Sequence, residues 1–166
     1  MFELKPISKD ATQAALDRVE RYRLLNEPME AESICRDVLD ADPDDQRALT
    51  LLLLSLTDQF PALLGSAWPA AMGVLEKLRD EYSRAYYHGV ICERKAKTHL
   101  SRRGPGDGEA AWEWFREAMR HYESAERLRP AKNDEAILRW NTCARVLNQH
   151  PELEPTHERV AEQMLE

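Results

Sequence analysis

The order of apolar and polar residues along the chain has a helical period almost from end to end. In residues 109–130, EAAWEWFREAMRHYESAERLRP, the apolar positions Trp112, Phe115, Ala118, Met119, Tyr122, Ala125 and Leu128 recur at steps of three and four. Such spacing lays one stripe along a helix. Small Ala118 and Ala125 on either side of Tyr122 suit close approach of a second helix, with one ring filling the gap. Pro130 stops the element, because proline lacks an N–H and disfavours helical geometry in the residue before it. The same reading predicts a first helix over about 10–26, with Asp10 as its N-cap and Gln13 completing a capping-box pattern. A second helix runs over about 28–42 with Pro28 in its first turn. Asp44 and Asp45, after Pro43, cap a third over about 45–59; it is apolar on most sides and belongs inside an array. Residues 60–66 read as a connector, 68–79 as a fourth helix with Pro69 in its first turn, and about 81–100 as a long fifth. Residues 101–108, SRRGPGDG, form the clearest loop. After the helix over 109–129 come one over about 133–149 and a weaker one over 155–165, able to fold over the end of the array.

These segments repeat. Ala31, Cys35, Val38 and Pro43 stand at the same mutual spacings as Ala118, Tyr122, Ala125 and Pro130. Six residues after Pro43 comes Leu49, followed by Leu52, Leu53 and Leu56; six after Pro130 comes Ala136, followed by Arg139, Trp140 and Cys143. Ala85, His88, Gly89 and Cys92 give a further first-helix copy. In this register the chain resembles the tetratricopeptide repeat family, whose period is ~34 residues and whose pattern is W-x2-L-G-x2-Y, then A-x3-F, then a closing proline. Ala or Leu stands where the family has its first Trp, and among the copies Gly89 alone supplies the glycine. The resemblance implies an all-α solenoid in one helical-repeat domain, with pairs over about 10–43, 45–80 and 81–130 and capping helices after them. It also implies a concave groove lined by the first helix of each pair, suited to an extended peptide. By that analogy the partner-binding residues are Glu20, Arg23, Tyr86, Glu93, Arg94, Asn141 and Arg145, with Tyr86 as the apolar anchor. The family's carboxylate clamp is missing, since Leu16, Glu20, Leu51, Ser83 and Tyr87 hold its places.

Composition narrows the class. Alanine, leucine, glutamate and arginine dominate, which favours helix throughout. A net charge of −7 argues against general nucleic-acid binding. No apolar run is long enough for a membrane span or a signal peptide. Cys35, Cys92 and Cys143 are odd in number and lack a C-x-x-C spacing, so they read as small core hydrophobes in a reduced, cytoplasmic setting.

Candidate chemistry is sparse. His88, Cys92 and His99 fall on broadly one side of the fifth helix, but without orienting partners nearby they read as packing rather than a metal site. Lys95, Lys97, Arg102 and Arg103 form one basic patch, either a solvated helix end or a dock for an acidic protein segment or a phosphate. Trp112 and Trp114 point to different sides of one helix, so one packs and the other is covered by the preceding loop or a partner. No catalytic constellation, cofactor site or metal site is expected: His157-Glu158 lacks the second histidine of a metalloprotease helix. The expected function is a non-enzymatic adaptor for a protein or peptide. The alternative is a regulatory or assembly subunit that self-associates, as a homodimer, or docks through the fifth helix and the 101–108 loop.

Overall fold

The computed structural model describes residues 2–155, and these are helical, with no strand among them. The helices are α1 (Thr12–Leu24), α2 (Pro28–Ala41), α3 (Gln46–Asp58), α4 (Phe60–Leu75), α5 (Glu81–Arg102), α6 (Asp107–Leu128) and α7 (Glu135–Gln149). Short 3₁₀ turns lie at Lys9–Ala11 and Pro151–Leu153. None of the helices is long and apolar enough to cross a membrane. The helix expected over 155–165 lies outside the described residues, Pro155 apart. The chain divides into two compact units, Met1–Asp80 and Glu81–Glu166.

In the first unit, successive helices pack on one another and α1 also touches α3. Leu16 and Val19 of α1, Ala31, Cys35 and Val38 of α2, and Leu49, Leu53 and Leu56 of α3 fill its core, as their three- and four-residue spacing requires. Asp45 caps α3 as expected, its side chain accepting the Ala48 N–H at 2.9 Å. Asp10 makes no such cap, because it sits inside the 3₁₀ turn and α1 starts behind Ala11. The connector expected over 60–66 is instead the start of α4. Phe60 is buried completely there, and Pro61 loses nothing in a first turn whose N–H groups have no helical partner anyway. The expected interruption is reduced to a kink at Leu63, with φ −129° and ψ 32°. Pro69 lies inside α4 rather than at its start.

In the second unit, α5 packs along α6, α6 packs on α7, and the 151–153 turn closes against both α6 and α7. Ala118, Tyr122 and Ala125 are all fully buried. A Cβ on Gly89 would come within 2.5 Å of Tyr122 Cε1, so this glycine is what lets the tyrosine ring lie against α5. The loop between α5 and α6 is shorter than 101–108, since Ser101 and Arg102 end α5 and Asp107 and Gly108 begin α6. Two residues turn it through the left-handed region, Arg103 at φ 55° and Gly106 at φ 81°. The Asp107 carboxylate pins it, accepting the Gly104 N–H at 2.9 Å and standing 2.7 Å from His99 Nδ1.

Candidate functional site

The residues expected to line a groove have different environments. On α1, Arg23 pairs with Asp58 of α3 at 2.7 Å. Glu20 shares Arg47 with Asp17, at 3.0 and 2.7 Å, and Gln13 accepts a further hydrogen bond from the same guanidinium. These are cross-helix ties, α1 to α3, the first part-buried and those to Arg47 exposed.

In the second unit Glu93 is fully buried. Its carboxylate accepts the Tyr122 hydroxyl at 2.6 Å and faces Lys97 of its own helix and Arg139 of α7, the latter at 3.3 Å. Tyr86 is also buried, stacked on Tyr82 with centroids 5.8 Å apart and edge-on to Tyr87 at 5.1 Å. A buried polar group is retained where its hydrogen bonds are met, and here three partners meet those of Glu93. Glu93 and Tyr86 therefore belong to the core of this unit and offer no open anchor for a ligand. Asn141 is half-buried and Arg145 exposed on α7, and Arg94 is half-buried on α5.

The basic string is likewise divided. Lys95 Nζ lies 3.8 Å from the centre of the Trp114 ring, a cation–π contact, and burial lowers its pKa. Lys97 goes to Glu93, while Arg102 and Arg103 stay exposed at the loop. Trp112 and Trp114 are both half-buried, so neither is a plain core residue.

Two arrangements stand out that the sequence did not single out. One is an open hollow of about 650 Å³ between α6, α7 and the 151–153 turn. Trp112, Arg116 and Met119 form one wall; Trp140, Ala144 and Leu147 form the other. Trp140 is fixed by its indole N–H, which donates to Glu123 at 3.0 Å. A smaller hollow beside it adds Arg120 to the rim. The other arrangement lies across the α5–α6 contact. The His88 and His121 rings are stacked, with centroids 3.6 Å apart and planes 22° from parallel. Cys92, one turn along α5, joins them, and the donor atoms of all three lie within 4.8 Å of one another. His99, the residue grouped with His88 and Cys92 from the sequence, is occupied by Asp107 instead. Burial pushes His88 down to about 4, helped by His121 beside it, and holds His121 below its ordinary value despite Glu117. Burial pushes the Cys92 thiol up to about 12. At neutral pH the trio is thus two neutral imidazoles and a thiol.

No family model, curated protein or solved structure matches this chain.

Proposed function

We propose that this protein is a non-enzymatic, tetratricopeptide-like adaptor that holds a peptide segment of a partner protein, in a reducing compartment such as the cytoplasm. The observation that carries the reading is the hollow on the second unit: two tryptophans, a methionine and an arginine converge on it. Those are the residue types enriched at interface cores, where a few large anchors supply most of the binding energy. Met119 adapts to the shape of an incoming side chain, and the indoles offer broad apolar faces at little cost in conformational freedom. Arg116 and Arg120 on the rim favour an occupant with an apolar anchor beside an acidic residue. Within each unit, helices that pack on their neighbours in sequence, and the close contact of Gly89 with Tyr122, support the repeat-like reading. Three buried, unpaired thiols suit a reducing environment.

The test is capture of a partner from the native host by the wild type and by Met119→Glu and Arg116→Glu variants, each checked for unchanged helix content. The expected result is one partner segment retained by the wild type and lost, by tenfold or more, from both variants. An Arg145→Ala variant, altered on the exposed α7 face, should retain it. Capture that survives both hollow variants and fails with Arg145→Ala moves the binding face to the first-helix residues. Capture indifferent to all three refutes a side-chain-specific adaptor. A second copy of the chain as the only occupant would show as a concentration-dependent mass in solution and would favour the assembly reading.

A further inference from the structure

We propose that His88, Cys92, His121 and Glu117 form a four-ligand site for a borderline-soft divalent transition ion of the zinc class, clasping α5 to α6. The site is independent of the peptide hollow and would stand if that reading failed.

The sequence supplies two i, i+4 pairs, His88 with Cys92 on α5 and Glu117 with His121 on α6. In a helix that spacing puts both side chains on one face, one turn apart. The two faces meet, because α5 and α6 pack along their length. Three donor atoms, from His88, Cys92 and His121, already lie within 4.8 Å of one another. In a tetrahedral zinc site with bonds of ~2.0–2.3 Å, donors stand roughly 3.3–3.7 Å apart. Closing the cluster requires the two stacked imidazoles to turn out of their parallel arrangement so that both ring planes meet at the ion, and the Glu117 carboxylate to swing toward them.

The fourth ligand is placed by its own neighbours. Arg120 grips Oε2 of Glu117, and Oε1 is left 3.1 Å from His121 Nε2. Nε2 is shielded from solvent and makes no well-aligned hydrogen bond, its contact with that carboxylate oxygen being a close electrostatic one. Plain packing accounts for stacked neutral imidazoles and a buried thiol. It leaves a shielded ring nitrogen with only a poorly aligned carboxylate contact, where buried polar atoms are nearly always well satisfied. A cation there would bond to the nitrogen, the sulfur and the carboxylate oxygen together.

Donor chemistry selects the ion. Two imidazoles, a thiolate and one carboxylate suit zinc or cobalt(II) and reject magnesium and calcium, which need mostly oxygen. On binding, the metal–sulfur bond replaces the S–H bond of Cys92 and the proton passes to solvent; no electron moves. With four protein ligands no position is left open for water or substrate, which makes the site a clasp rather than a reaction centre.

The experiment uses the full chain stripped with a chelator, then titrated with Zn²⁺ against a chromophoric chelator and separately with Co²⁺ under reducing, anaerobic conditions. Expected are one ion per chain, the strong visible bands of four-coordinate cobalt, and a thiolate-to-cobalt charge-transfer band. Cys92→Ser should abolish the charge-transfer band. His88→Gln and His121→Gln should each weaken zinc by at least about tenfold, given that even outer-shell losses cost 10–100-fold. Glu117→Gln should weaken it less and alter the cobalt bands. His150→Ala, remote from the cluster, should bind like the wild type, and millimolar Mg²⁺ should not compete. If Cys92→Ser loses its helical signal, the half-buried His121→Gln carries the test. Failure of the folded wild type to take up one equivalent overturns the proposal. So does uptake unchanged in His88→Gln and His121→Gln, or a cobalt complex without the thiolate band.

Discussion

Gly89→Ala sets two physical effects against each other, and the structure decides between them. Alanine in place of glycine inside a helix normally stabilises it by about 0.5–1 kcal/mol, because less backbone freedom is lost on folding. Here the new Cβ would meet Tyr122 Cε1 at 2.5 Å, Cδ1 at 2.7 Å and Cζ at 3.0 Å. Carbon atoms rest about 3.5–4.0 Å apart, so ring or helix must retreat by roughly an ångström. The ring has little room to do so. Tyr122 is fully buried, its hydroxyl is fixed to Glu93 at 2.6 Å, and the Tyr86 ring lies against it with centroids 5.9 Å apart. The cost belongs at the upper end of the about 1–3 kcal/mol typical of overpacking, which leaves a net loss of about 1–2 kcal/mol after the helix gain. Urea unfolding of the metal-free protein, followed by tryptophan fluorescence and circular dichroism, should give a lower midpoint with an unchanged slope. In a Tyr122→Leu background the same substitution should become neutral or stabilising, a coupling of at least about 1 kcal/mol. A Gly89→Ala protein as stable as the wild type, or more so, would mean that the glycine is not there for Tyr122.

Other outcomes follow from the same contacts. Ala118→Leu adds three carbons at a fully buried position on α6 and should destabilise by about 1–3 kcal/mol, read from the urea midpoint. His88 is held at about 4 against an ordinary 6.5, so the unfolded chain takes up this proton first as pH falls. Its contribution to stability is therefore complete above pH 6.5, declines between 6.5 and about 4, and is constant below; His88→Gln should flatten that part of a melting-temperature profile. Trypsin should cut first at Arg102 or Arg103 in the α5–α6 loop, and Asp107→Ala, by releasing Gly104 and His99, should speed that cut; first cleavage elsewhere in the interior would contradict it.

What could be read from the sequence was local. Asp45 three residues before Ala48, and alanines flanking Tyr122 on one stripe, need only one helix and its neighbour to be interpreted, and both turned up in place. Residues 60–66 read as a connector but begin α4, because a proline in a first turn is compatible with helix and full burial of Phe60 holds that turn in place. Tyr86 and Glu93 occupy groove positions by register, but the partners that bury them come from elsewhere, Tyr122 and Arg139 lying 29 and 46 residues from Glu93. His121 meets His88 and Cys92 only across the α5–α6 contact, which a single helix does not reveal. The available signal was a pair of i, i+4 motifs, His-x3-Cys and Glu-x3-His, on adjacent helices; one helix taken alone brought in His99, whose partner is Asp107 at the start of α6.

Helix α5 thus presents different chemistry to its surroundings on neighbouring stripes. Gly89 and Glu93 face the core, where Tyr122 and Arg139 fix the distance and rotation of the helices by close contact and charge. His88 and Cys92, each one position earlier, look toward Glu117 and His121, which likewise precede the buried Ala118 and Tyr122 by one. The core contact therefore dictates how near the two ligand pairs stand, and it does so without any ion. Zinc fingers differ, because their small cores cannot hold the ligands together unaided. In this protein the hairpin is assembled by its apolar core, so zinc should raise the melting temperature of an already helical chain by mass action. The same logic couples the two perturbations. Gly89→Ala, by forcing α5 and α6 apart where Tyr122 resists, should weaken zinc uptake although it touches no ligand, and restoring the space with Tyr122→Leu should restore the affinity.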